Sequence, residues 1–351
     1  MTAVHLGMPS IPVRPPGGRP DTPALVDSYG RVATDLRISV TDRCNLRCTY
    51  CMPEEGLNWL PTPDVLDTGE LSRLIRIAVL ELGVTELRFT GGEPLLRKDL
   101  ETVLAEAAAL SPRPSISLTT NGLSLARRAE RLLAAGVDRV NVSLDTLRPD
   151  RYLALTRRDR LADVLAGLRA ARAAGLDPVK VNSVLMRGVN EDEAVPLLAF
   201  CLAEGLELRF IEQMPLDPQH GWDRGQMVGG EEILAALGSA FTLTPDTAER
   251  GAAPAERWLV DGGPGRVGVI ASVSAPFCGA CDRTRLTADG QVRSCLFGQQ
   301  ETDLRGAMRA GAGDEELAEL WRAAMWAKPA GHGINEVGFA QPSRPMSAIG
   351  G

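Results

Sequence analysis

The sequence predicts an α/β fold: a partial (βα)6 barrel of the TIM type, followed by a smaller C-terminal module. Three observations carry this reading. Six short β-rich runs alternate with longer helical patterns between residues 36 and 211, which requires a parallel sheet with helical crossovers. Six strands are too few for a complete eight-stranded barrel and suit an open, partial one or a doubly wound sheet. Past about residue 220 the rhythm changes to Gly, Pro and short strands.

In chain order, residues 1–25 are rich in Pro and Gly without periodicity and read as a flexible leader. The barrel is expected over 26–220, with strands at 36–40, 86–90, 115–119, 139–143, 179–184 and 206–211. Helices are expected at 69–82, 99–110, 124–135, 161–174 and 192–204. The first of these repeats apolar residues at helical spacing, through Leu71, Leu74, Ile75, Ala78, Val79 and Leu82. Glycine follows four of the helices, at Gly83, Gly136, Gly175 and Gly205. The module 221–351 carries strand patterns at 257–260, 267–270 and 285–287, helices at 302–310 and 314–327, and a loop-like tail. Directly after the barrel strands come TDRC, TGGEP, TTNG, SLD and EQMP. In such folds the carboxyl ends of the strands form the rim of the active site.

Composition narrows the function. Apolar residues make up 44% and charged residues 24%, as in ordinary globular chains. The net charge of −7 disfavours coating of nucleic acid or an anionic membrane. No apolar run reaches the roughly 18 residues of a membrane-spanning helix, and the first residues lack a signal-peptide core, so a cytoplasmic protein is expected. Only Lys98, Lys180 and Lys328 are lysines. A lone Arg is therefore weak evidence of a phosphate site here, and a well-placed Lys says more.

Six of the seven cysteines fall into two triplets: Cys44, Cys48 and Cys51, then Cys278, Cys281 and Cys295. Structural zinc takes four protein ligands. Three thiolates in one loop suit a [4Fe–4S] cluster that keeps one iron free of protein. A zinc knuckle with a distant fourth ligand is the competing reading of the first triplet. For the second, Cys201, His220 or His332 would be the fourth zinc ligand. After Cys281, Arg283 and Arg285 alternate on one side of an extended segment, where two guanidiniums beside an open iron suit an anion.

The stretch CNLRCTYC, with Tyr50 before the last Cys, followed by Gly91-Gly92-Glu93-Pro94 after the second strand, resembles the radical S-adenosylmethionine superfamily. The ordered set RISVTDRCNLRCTYC, RFTGGEPLLR, TTNG, NVSLD, FIEQMP, CxxC with two arginines and a later Cys, and a terminal Gly350-Gly351 is similar to the GTP 3′,8-cyclase family within it, from about Arg37 to the end. The resemblance implies two [4Fe–4S] clusters and S-adenosylmethionine as cofactors. It implies cofactor contacts at Tyr50, Gly92, Ser143 and Met214. It implies GTP contacts at Arg37, Arg88, Thr119, Lys180, Arg283, Thr284 and Arg285, with the tail Gly350 and Gly351 reaching the active site. The implied reaction opens molybdenum cofactor biosynthesis: a 5′-deoxyadenosyl radical takes the C3′ hydrogen of GTP, and C3′ then bonds to C8. The implied partners are a flavodoxin or ferredoxin as electron donor and cyclic pyranopterin monophosphate synthase downstream, the enzyme itself being a monomer or homodimer. Two alternatives remain at this level: a radical enzyme that modifies a peptide and uses the second cluster as an electron relay, and a non-enzymatic iron–sulfur carrier or zinc-stabilised binding module.

Overall fold

The computed structural model describes residues 17–350. Twelve strands build a single sheet: β1 (Asp35–Ser39), β2 (Glu86–Thr90), β3 (Ser115–Thr120), β4 (Arg139–Ser143), β5 (Val179–Val184), β6 (Glu207–Ile211), β7 (Leu243–Pro245), β8 (Glu256–Val260), β9 (Arg266–Ile270), β10 (Arg283–Leu286), β11 (Gln291–Arg293) and β12 (Thr302–Asp303). The helices are α1 (Thr68–Leu80), α2 (Leu100–Ala108), α3 (Leu125–Ala134), α4 (Pro149–Thr156), α5 (Leu161–Ala174), α6 (Ala194–Ala203), α7 (Gly230–Gly238), α8 (Leu304–Arg309), α9 (Asp314–Trp326) and α10 (Met346–Ile349). None of the described helices is long and apolar enough to cross a membrane.

The strand order is β12-β11-β10-β1-β2-β3-β4-β5-β6-β9-β8-β7. Strands β1 to β6 pair in sequence order and in parallel, as the βα alternation requires. The strands after residue 220 do not form a sheet of their own. β10 adds in parallel to β1 and β9 adds in parallel to β6, so both ends of the six-stranded core are extended. Antiparallel strands complete each edge. The sheet stays an open, partial TIM-like barrel.

Local chemistry accounts for the elements that frame the site. Asp67 caps α1: its side chain accepts from Glu70 N at 2.8 Å, and Glu70 returns a bond to Asp67 N at 3.0 Å, a reciprocal capping box. The helix then buries Leu71, Leu74, Ile75, Ala78 and Val79 against the outer face of the sheet. Helix α5 ends on Gly175 at φ 95°, a left-handed turn that glycine adopts without steric strain. Sequence patterning misses α4, α7, β7 and β11, all short; it also reads β12 as the start of a helix and the tail, which holds α10, as a loop.

Candidate active site

The first cysteine triplet lies in the loop after β1, and the glycine loop after β2 packs directly on it. A Cβ placed on Gly92 would stand 2.4 Å from both Asp42 O and Arg43 O, and one on Gly91 2.4 Å from Thr41 O. Gly92 N donates to Thr41 O at 2.7 Å, and Glu93 N donates to Arg43 O at 2.7 Å. The buried Glu93 carboxylate accepts from Thr120 Oγ1 at 2.7 Å, Asn121 N at 2.7 Å and Leu95 N at 3.0 Å. The GGEP loop is thus a brace between the ends of β1, β2 and β3. Next to it, Asn121 Nδ2 donates to the Cys44 sulfur at 3.9 Å.

Cys44, Cys48, Cys51, Tyr50, Gly92, Thr119 and Ser143 line one cavity. A second cavity is lined by Cys278, Cys281 and Cys295, and by the five arginines Arg37, Arg88, Arg209, Arg283 and Arg285. The two share Tyr50, Thr119, Ser143, Asp145 and Met346 as a common wall. Each triplet therefore lines one of two adjoining cavities.

The arginine side is built by strand register. Arg285, Arg37 and Arg88 are direct neighbours across β10, β1 and β2. Arg37 donates to Asp35 Oδ2 at 3.1 and 3.3 Å. Burial alone would raise the Asp35 carboxyl, but the Arg37, Arg88 and Arg283 guanidiniums hold it at about 2. Burial pushes Arg285 down to about 9, helped by Arg37 and Arg283 beside it. Arg88 Nε and Asp35 Oδ1 are buried without hydrogen-bond partners; Arg88 lines the cavity and Asp35 does not. Arg283 stacks over Phe277 at 4.9 Å. Arg285 Nη1 donates to Gly350 O, which brings the C-terminal tail into the site; Gly351 lies outside the described residues.

Three residues that sequence reasoning passed over also line the arginine cavity. Arg209 donates to Asn182 Oδ1 at 3.0 Å and to Asn141 Oδ1 at 2.6 Å, which fixes its guanidinium. Asp145 accepts from the Tyr50 hydroxyl at 2.7 Å and from Val184 N at 2.8 Å, and burial raises it to about 6. The signal for Arg209 and Asn182 was strand alternation: β6 buries Leu208 and Phe210 and leaves Glu207 and Arg209 on the other face.

Not every expected residue joins. Thr284 does not line the cavity. Alternation along β10 turns it away from Arg283 and Arg285, and its buried hydroxyl accepts from Trp321 Nε1 at 2.9 Å. Lys180 is also absent from the lining and pairs with Glu207 at 2.9 Å. Met214, expected beside S-adenosylmethionine, lines the arginine cavity.

The donor set fits two iron–sulfur clusters. Among the described residues, no group of three or more His, Cys, Asp or Glu side chains could hold a single metal ion, whereas a four-iron body spreads its thiolates wider. None of the three fourth-ligand candidates for zinc joins the second triplet in such a group. Cys201 is buried inside the core. His220 sits exposed in its loop. His332 accepts from Ile334 N at Nδ1, 3.1 Å, which leaves Nε2 protonated and donating to Ser272 O at 3.0 Å. Within each triplet the sulfurs are close enough to interact: burial, then Cys44, pushes the Cys51 thiol up to about 12. Cys281 differs, because the Arg283 and Lys328 cations overcome burial and bring it to about 6.

Comparison with known proteins agrees with this geometry. Residues 38–201 match the Radical SAM superfamily, and residues 206–334 match the family described as Molybdenum Cofactor Synthesis C. The chain is 67% identical over 328 residues to a GTP 3′,8-cyclase of Streptomyces coelicolor, covering 93% of this chain and 96% of that one. It is 62% identical to a GTP 3′,8-cyclase of Mycobacterium sp. (strain KMS), over 100% of both. Among solved structures, Streptococcus suis SuiB bound to S-adenosylmethionine shares the fold at a TM-score of 0.56 and 15% identity, covering 88% of this chain and 69% of that one.

Proposed function

This chain belongs to the GTP 3′,8-cyclase family of radical S-adenosylmethionine enzymes, and from that premise we infer how its residues divide the work. The reaction joins C3′ of GTP to C8 of its guanine, giving (8S)-3′,8-cyclo-7,8-dihydroguanosine 5′-triphosphate, in the molybdenum cofactor pathway. S-adenosylmethionine is consumed to 5′-deoxyadenosine and methionine. The observation that carries the assignment of parts is the pair of adjoining cavities, one lined by each cysteine triplet, with a common wall and with five arginines gathered at the second.

Cys44, Cys48 and Cys51 would hold the cluster that supplies the electron for S-adenosylmethionine cleavage, and Cys278, Cys281 and Cys295 the cluster whose open iron receives guanine. Gly92 sets the glycine loop directly on the carbonyls of the first cysteine loop, where no Cβ fits, and so brings its backbone to the methionyl end. Tyr50 and Ser143 stand on the wall between the two cavities, where the cofactor's nucleoside would meet GTP. Met214 adds apolar cover from the GTP side. Arg37, Arg88, Arg283 and Arg285 clamp the triphosphate, with Thr119 on the shared wall and Arg209 held ready by its two asparagines. Charge-assisted contacts of this kind are strong and geometrically selective. Lys180 extends the clamp where it leaves Glu207, and Thr284 holds β10 in register through Trp321. Gly350 meets the cavity at Arg285. The cavity walls exclude water from the radical.

The division into a radical S-adenosylmethionine partial barrel, 26–220, and a C-terminal cluster-binding module with the Gly-Gly tail, 221–351, follows the two triplets. We further place the enzyme in the cytoplasm as a monomer or homodimer, reduced by a flavodoxin or ferredoxin and passing its product to cyclic pyranopterin monophosphate synthase. Anaerobic protein reconstituted with iron and sulfide, then incubated with GTP, S-adenosylmethionine and dithionite, should yield the 3′,8-cyclised nucleotide in step with 5′-deoxyadenosine. Intact GTP beside full 5′-deoxyadenosine formation would overturn the substrate assignment.

A further inference from the structure

Two buried cations grip the backbone around the second cysteine triplet, and only one of them is electrically matched. Arg31 donates to Cys278 O at 2.7 Å, Ala330 O at 2.8 Å and Pro329 O at 2.6 Å. Its charge is balanced by buried Asp27, 2.5 Å away. Lys328, just beyond α9, is 3% exposed. Its ammonium donates to Cys281 O at 3.0 Å and Arg283 O at 2.9 Å, and its charge helps to lower the Cys281 thiol. Among the described residues it forms no ion pair with a carboxylate. Neutral carbonyls satisfy its hydrogens and leave its charge uncompensated, and a buried charge without a counter-charge is expensive. Asp282, between the two residues whose carbonyls Lys328 holds, accepts from Thr34 Oγ1 at 3.4 Å and makes no ion pair with the lysine; the other groups at hand that can carry negative charge are the three cysteines, as thiolates on a cluster.

We propose that Lys328 is the dedicated counter-charge of the second iron–sulfur cluster, a positioning residue that ties both ends of Cys281–Arg283 and balances the loaded site. This rests on the reading that Cys278, Cys281 and Cys295 hold a cluster. It goes beyond that reading by giving the cluster loop a charge partner outside the cavity lining. The staple and the counter-charge are separable roles. Arg31 staples the Cys278 end with its charge already matched. Lys328 staples the Cys281 end with a charge that only the loaded site uses. Net charge and hydrogen bonds to sulfur set cluster potentials, so the ammonium also raises the potential at which this cluster accepts an electron.

Lys328→Gln separates the roles, because its amide still donates to the two carbonyls but carries no charge; Lys328→Arg keeps the charge. Thermal midpoints of the iron-free and reconstituted forms are compared for native protein and both variants. Iron is counted in each, and the second cluster's potential is read in a Cys48→Ala background. The Gln variant should lose more stability loaded than iron-free, and its cluster potential should move to more negative values. Loss of the second cluster alone from the Gln variant would support the same role. The Arg variant should stay closer to native on each measure. Equal losses in both forms, an unchanged potential at full iron, or failure of the Gln variant to fold even without iron would each overturn the proposal and leave Lys328 a backbone staple. If the native protein binds about four irons instead of about eight, the cluster reading itself fails, which is a separate outcome.

Discussion

A β-strand sends successive side chains to opposite faces, and this residue-scale rule decides most of the arginine site. Arg283 and Arg285 enter the cavity while Thr284, between them, meets Trp321. The same alternation, applied to β6, would have found Arg209. It was passed over because 35 of the 38 basic residues are Arg, so a single one carried little weight. Lys180 stood out for the opposite reason, and the structure sets it against Glu207. Two predictions belong here. Replacing Arg285 by Ala removes a charge-assisted contact and should weaken GTP binding by about 1.5–3 kcal/mol, or roughly 10- to 100-fold by calorimetry, at unchanged iron content. Unaltered affinity would remove Arg285 from the clamp. Asp35 offers a test in pH. Its folded value of about 2 lies below the ordinary 3.8, so its contribution is present above about pH 4 and is lost as pH falls towards 2. The contribution is roughly 2 kcal/mol by proton linkage. In iron-free protein, Asp35→Asn should flatten the acid limb of the stability curve between pH 4 and 2. An acid limb identical to native would show that the arginines do not depend on this carboxylate.

At the scale of elements, patterning located what a local signal defines. The runs at 86–90, 139–143 and 179–184 are strands with those bounds, and 161–174 is a helix with those bounds. It missed α4, which starts on Pro149 and ends at the left-handed Arg157, and α7, which opens at Gly229-Gly230. Pro149 at the first helical position is a start signal, but both helices are only about two turns long, too short to show a sustained apolar period. The glycine loop after β2 was legible as a motif, but its reason is visible only in three dimensions: it lies against the carbonyls of 41–43. Gly92→Ala should therefore displace the loop that carries Cys44 rather than unfold the barrel. We expect 5′-deoxyadenosine formation to fall at least tenfold, about 1.4 kcal/mol of barrier, while the second cluster keeps its iron. Normal cleavage by this variant would mean that the loops tolerate a methyl between them.

At the scale of the whole molecule, the sequence suggested two modules in succession, whereas the sheet joins their strands. β10 and β9 come from beyond residue 220 yet flank β1 and β6. Local patterns cannot reveal such pairings, because they join segments more than 50 residues apart in the chain, and for β1 and β10 nearly 250. This arrangement sets Arg283 and Arg285 beside Arg37, and it gives the tail a place to end. Helix α10 buries Ile349 and Ser347, and Met346 lines both cavities. Gly350 turns at φ 82°, a conformation that disfavours any side chain. A Cβ there would meet Thr90 Cγ2 at 2.7 Å and Ser39 Cβ at 3.3 Å. Gly350 is thus wedged between β1 and β2, where Arg285 holds its carbonyl. If the tail only frays in solvent, its removal changes nothing. If it completes the cavity, deletion of 350–351 frees Arg285 from its carbonyl and opens the wall of the GTP site. Folding and iron content should then persist while cyclised product largely disappears. Gly350→Ala should do nearly as much harm, through the clash with Thr90 and the unfavourable φ, and an Ala added after Gly351 should also lower the yield. Product measured at matched iron content in the native, deleted, substituted and extended proteins makes the comparison. Equal yields from all four would show that the tail is a bystander; retained 5′-deoxyadenosine formation with lost cyclisation would place its role at GTP and not at the radical source.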